Sequence, residues 1–160
     1  MAFITRSLSI ALSLSLLACA GDPQGSTIRS ARIDGDDRLE LDLDLRFTET
    51  ELTALDQGIP LRVAVHSADT HVAQQIIELR FRPLARQYEL LLPGQPVARL
   101  FASRPRLLAA LDRVVVDGGR AQSGEVRLAL IASALPAPLR LPAMIDHEWQ
   151  LATPPLQWSR

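Results

Sequence analysis

The chain has 160 residues, 17 basic and 18 acidic side chains and a formal net charge of −1, with 48% hydrophobic and 22% charged residues. That is ordinary globular composition, not the low-hydropathy, high-charge profile of a disordered chain. A near-neutral balance offers no basic stripe for nucleic acid, so a nucleic-acid partner is not expected. All the basic residues are arginine, and the absence of lysine excludes Schiff-base chemistry and lysine-dependent phosphate loops.

Arg6 is the one charge before Asp22, and residues 7–18 form an apolar run of Leu, Ile, Ala and Ser. A basic residue, a short apolar segment and then small residues make up a signal peptide, here residues 1–18. The run is too short to cross a bilayer core, which takes roughly 20 apolar residues. Its end, Leu16-Leu17-Ala18-Cys19, resembles the lipobox of bacterial lipoproteins. The resemblance implies cleavage before Cys19, lipid attachment at Cys19 and a membrane partner through that lipid. Cleavage after Ala18-Cys19-Ala20, an A-x-A-like site, is the competing reading. Cys19 is the only cysteine, so no disulfide framework exists, and lipidation would occupy a thiol otherwise open to intermolecular pairing. Ala20 and Gly21 lack the aspartate associated with inner-membrane retention, and the lipoprotein resemblance therefore implies the outer membrane, on its periplasmic face.

From Cys19 onward 142 residues remain. Residues 19–26 are small and polar and read as a tether. Residues 27–160 read as a single β-rich domain. Residues 27–33 predict a strand, and Asp34-Gly35 a hairpin turn. In residues 38–47, Leu39, Leu41, Leu43, Leu45 and Phe47 alternate with Arg38, Glu40, Asp42, Asp44 and Arg46, a strand with one buried and one solvated face. Residues 50–57 predict a short helix capped by Thr48 or Thr50 and stopped by Gly58. Further strands are expected around Leu61, Val63 and Val65; Ile77, Leu79 and Phe81; Tyr88, Leu90 and Leu92; and residues 97–102. Ser103 and Pro105 open a second helix carrying Leu107, Leu108 and Leu111. A late strand follows at Val126, Leu128 and Leu130, and a final one at residues 149–151. Residues 134–143, with Pro136, Pro138 and Pro142, read as a proline-rich loop. About eight strands and two short helices predict a mainly β fold, an antiparallel sandwich or one curved sheet.

The second half runs Leu79-Arg-Phe, Leu84-Ala-Arg86-Gln-Tyr88, Phe101, Leu108-Ala-Ala-Leu111, Leu135-Pro-Ala-Pro-Leu-Arg-Leu-Pro142, Trp149-Gln-Leu-Ala and Trp158. It resembles the proteobacterial family called domain of unknown function 4390, over most of residues 28–158. The resemblance implies an exported protein. It also implies a second partner reading, regulation of a membrane sensor kinase through its external domain. The lipobox departs from the plain signal or anchor of many members.

His66, Asp69 and His71 are a zinc-type ligand set within six residues, which a metal-dependent hydrolase would use. His66 and His71 flank a turn, however, where polar residues are expected anyway, and no H-E-x-x-H supplies a helical geometry. No metal and no other cofactor is expected. Asp146-His147-Glu148 is read as a solvated loop rather than an acid/base pair. Asp34-Gly-Asp-Asp37 starts like a calcium loop, but its twelfth position is Leu45, where a glutamate is required. No G-x-S-x-G, G-x-G-x-x-G or P-loop occurs, so no catalytic residue is assigned. Glu40, Asp42 and Asp44 are read as a strand's solvent face, with Arg80 and Arg82 as cross-strand partners. Arg140 and Trp158 are the candidate binding surface, being of the types enriched at hot spots. Trp149 is read as core; for Trp158 core and surface are both open. The functional expectation is a non-enzymatic envelope lipoprotein that binds an envelope protein or component. A lipid or small-ligand carrier is the remaining alternative.

Overall fold

The computed structural model describes residues 25–34, 37–67, 74–118 and 123–159. Within them nine strands form two antiparallel sheets, so the mainly β expectation holds in its sandwich form. The smaller sheet has the order β1 (Thr27–Ile33), β2 (Arg38–Asp44), β7 (Arg113–Asp117). The larger runs β6 (Arg99–Phe101), β5 (Gln87–Leu91), β4 (Gln75–Arg82), β3 (Leu61–Ser67), β8 (Ser123–Leu130), β9 (Leu156–Ser159).

Period-two patterning produces the core directly. Leu39, Leu41 and Leu43 of β2 are buried with Ile28 of β1 and Val114 and Val116 of β7. Across the gap lie Val63, Val65, Ile77, Leu79, Leu90, Val126 and Leu128 of the larger sheet, and all of them belong to one buried cluster. Each fully buried Leu or Val contributes about 1.5–3 kcal/mol relative to exposure. The outward residues of β2 carry charge. Arg29 lies 3.2 Å from Asp44 and Arg113 lies 3.1 Å from Glu40. Arg80 and Arg82, expected to pair with these acids, instead meet Glu78 (2.6 Å) and Glu89 (2.9 Å) within the larger sheet. The assignment fails because β4 and β2 belong to different sheets.

Helix α1 (Glu49–Asp56) is closed at both ends by its own sequence. Thr48 and Glu51 form a capping box, and at the C-terminus Gly58 adopts φ 84°. The N–H of Gly58 donates to Leu55 O and that of Ile59 to Ala54 O, the paired bonds of a Schellman stop. Helix α2 (Arg104–Ala109) buries Leu107 against the core.

Three elements differ from the sequence reading. Strand β7 was not anticipated: Val114, Val115 and Val116 show no alternation, although Val115 faces outward. Residues 134–143 are not a loop; a 3-10 turn at Ala132–Ala134 leads into helix α3 (Ala137–Ile145). Pro136 sits at its N-cap and Pro138 in its first turn, where no backbone donor is needed. Only Pro142 removes an intrahelical bond. Residues 149–151 are not a strand either. A 3-10 turn at His147–Trp149 precedes a single Ala129–Ala152 bridge, and Thr153 Oγ1 accepts the N–H of Leu128 at 2.9 Å. Regular pairing resumes only at β9, because Pro154 and Pro155 have no N–H to offer.

Candidate functional site

The most distinctive surface is built where α1, α3 and the following 3-10 turn meet. It begins with the capping box. Thr48 N–H donates to Glu51 Oε2 at 2.9 Å, and Glu51 N–H donates to Thr48 Oγ1 at 3.2 Å. The other carboxylate oxygen of Glu51, Oε1, accepts the N–H of Leu151 at 3.3 Å. Glu51 is thus fully buried and ties the helix to a segment 100 residues away. Burial pushes its carboxyl above the usual carboxylate range, and the hydrogen bonds from Thr48 and Leu151 offset part of that shift.

Two further contacts fasten the same junction. The Thr48 hydroxyl donates to the carbonyl of Glu148 at 2.5 Å, and the Thr50 hydroxyl donates to the Glu148 carboxylate. Asp146 accepts the N–H of Glu148 at 3.1 Å, holding the 3-10 turn in shape. A shallow groove of about 280 Å³ runs between the helices, lined by Thr50, Thr53, Ile59, Leu139 and Trp149 among others.

Helix α3 seats itself through Leu139 and Ala143, one turn apart and packed inward. Its opposite stripe is also apolar. Leu141, Met144 and Ile145 are spaced i, i+3 and i+4 and are 72%, 71% and 78% exposed. A helix apolar on both faces is normally covered on both. Arg140 is exposed beside this stripe, and its Nε donates to Leu135 O at 2.8 Å.

The sequence-derived candidates are scattered. Arg140 lies on α3 as described. Trp158, the other half of the candidate binding surface, is 4% exposed and belongs to the core, its ring against Gly124. It therefore presents no surface, because β9 pairs with β8 and turns the indole inward. Its Nε1 is buried without a hydrogen-bond partner among the described residues. Trp149 is buried, in the core as expected. His66 sits on β3 opposite Arg127, while Asp69 and His71 lie outside the described residues, as does Cys19. Among the described residues no cluster of three or more His, Cys, Asp or Glu is placed to hold a metal ion. Asp146 and Glu148 are engaged in the turn contacts above. Asp34 accepts the N–H of Arg38 at 3.1 Å, the work of a turn, and residues 35–36 of that motif lie outside the described set.

A second polar cluster went unnoticed in the sequence. Tyr88 OH donates to Asp56 at 2.7 Å, and Arg104 NH1 reaches the other Asp56 oxygen at 2.7 Å. Burial first, and then the hydrogen bond to Asp56, raise the Tyr88 hydroxyl above its ordinary pKa. The cluster pins α1, β5 and α2 together. No spacing signal links residues 56, 88 and 104; only the fold does.

A family model described as Domain of unknown function (DUF4390) matches residues 23–159. No curated protein and no solved structure matches the chain.

Proposed function

The chain belongs to the DUF4390 family, and we propose that it is an exported, non-catalytic binding domain tethered to the bacterial envelope at Cys19. The observation that carries this reading is the N-terminal sequence: Arg6, the apolar run of residues 7–18, then Leu16-Leu17-Ala18-Cys19 and a short polar tether. Among the described residues no helix is long and apolar enough to cross a membrane.

Two features of the domain support a binding role. Several of its ionisable side chains are committed to one another, across strands in Arg62–Glu78 (2.8 Å) and Arg82–Glu89 (2.9 Å) and between helices and a strand in the Asp56–Tyr88–Arg104 cluster. Groups held this way fix strand register and helix position rather than wait for a substrate. The exposed apolar stripe of α3 is the kind of surface that marks a contact site rather than bulk solvent exposure.

Mass spectrometry of the mature N-terminus, with crosslinking and affinity isolation of the full chain and of Cys19→Ala, tests the proposal. A diacylated or triacylated Cys19 and an envelope component captured by the native chain, but lost in Cys19→Ala, is the expected result. An unmodified N-terminus following cleavage after Ala20 overturns the tether.

A further inference from the structure

We infer that the outer face of α3 is a membrane-contacting surface, with Leu141, Met144 and Ile145 lying against the lipid of the bilayer that holds the anchor. The inference rests on the tethered reading above and extends it by saying which side of the domain faces the membrane.

Position carries the argument. Arg46 N–H donates to Ser26 Oγ at 2.9 Å and Ser26 Oγ donates back to Arg46 O at 3.3 Å, so the start of the domain is clipped to the segment between β2 and α1. Two residues further, Thr48 is hydrogen-bonded to Glu148, which follows Ile145 by three. The chain therefore enters the domain on the side where α3 ends. From Cys19 to Ser26 the tether spans seven residue-to-residue steps, about 25 Å when fully extended. A domain held so closely, entering beside an apolar stripe, meets the bilayer with that stripe.

The chemistry of the stripe agrees. It is narrow: three side chains on a nine-residue helix expose on the order of 400 Å², about half of the roughly 800 Å² per partner of a standard protein interface. A second copy packing on α3 alone would be under-supported. Lipid sets no such minimum, because the anchor supplies the affinity and the stripe only orients. Arg140, exposed and four residues before Met144, is a cation suited to anionic headgroups at the edge of the apolar contact.

The test uses the full chain, purified with its native N-terminus and incorporated into phosphatidylethanolamine–phosphatidylglycerol vesicles that carry a photoactivatable acyl chain. The vesicles are floated and irradiated, and adducts are mapped by mass spectrometry. Adducts are expected on residues 141–145. In Leu141→Asp/Met144→Asp they should fall at least tenfold while the protein still floats and its thermal melting is unchanged. A floating chain whose adducts map elsewhere, or whose α3 is joined to a second copy when the same vesicles are treated with a bifunctional crosslinker, overturns the inference and leaves the tether standing. A chain that does not float overturns the tethered reading, and this one with it.

Discussion

Replacing Glu51 tests the claim that the junction of α1 with the C-terminal segment is held by one buried carboxylate. Glu51→Ala leaves two backbone donors without their acceptor, Thr48 N–H and Leu151 N–H. A buried donor left unpaired costs about 1–3 kcal/mol, with the longer Leu151 bond at the low end. Together they put the loss at about 3 kcal/mol, which for a domain of this size lowers the melting temperature by about 10 °C. The pH dependence supplies a sharper check. Burial raises the folded carboxyl above its ordinary value of 4.5, so the folded state holds this proton more tightly than the unfolded chain does. The stabilisation from Glu51 is therefore fully present below about pH 4.5 and declines as pH rises through the folded value. Denaturant unfolding of wild type, Glu51→Ala and Glu51→Gln at pH 4 and pH 7 measures this, the comparison between variants cancelling the other carboxylates. The gap between wild type and Glu51→Ala should narrow at pH 7. Glu51→Gln, which keeps one acceptor, should fall between them and lose that dependence. A gap under about 0.5 kcal/mol at both pH values, or one that widens toward neutrality, would refute the account.

Two more variants probe the packing. A Cβ on Gly124 would lie 3.2 Å from Trp158 Cζ2, so Gly124→Ala should cost about 1–2 kcal/mol and shift the tryptophan emission as the indole is displaced; unchanged emission and stability would contradict the β8–β9 packing. Tyr88 is the only tyrosine, so its ionisation can be followed by ultraviolet absorbance. It should titrate above 10, and Asp56→Asn should bring it down; because the folded value is raised, its stabilisation persists below pH 10 and is lost as the hydroxyl ionises. Tyr88→Phe should cost about 1 kcal/mol in denaturant unfolding.

Local pattern was enough wherever one element sufficed. The alternation of Leu39, Leu41 and Leu43 located β2 and its buried face, and Asp34 marked the turn before it. Thr48 and Gly58 delimited α1 because caps and stops are made from residues within a turn of the helix ends. The family too was readable, from the Leu135–Pro142 element and the tryptophans.

The tertiary structure decided what distant segments do to one another. Nothing near Glu51 announces that its second oxygen will be claimed by Leu151, so its burial could not be read locally. The three valines of β7 hide their period because Val115 is as apolar as its inward neighbours; pairing with β2 selects which of them are buried. Three prolines masked α3, since each position becomes tolerable only once the helix register places two of them where no N–H is required. That same register divides α3's apolar residues into Leu139 and Ala143 inside and Leu141, Met144 and Ile145 outside. Composition alone records six hydrophobic side chains in α3, Ala137 included; which of them meet the core and which face outward follows from long-range contacts that no window of sequence contains.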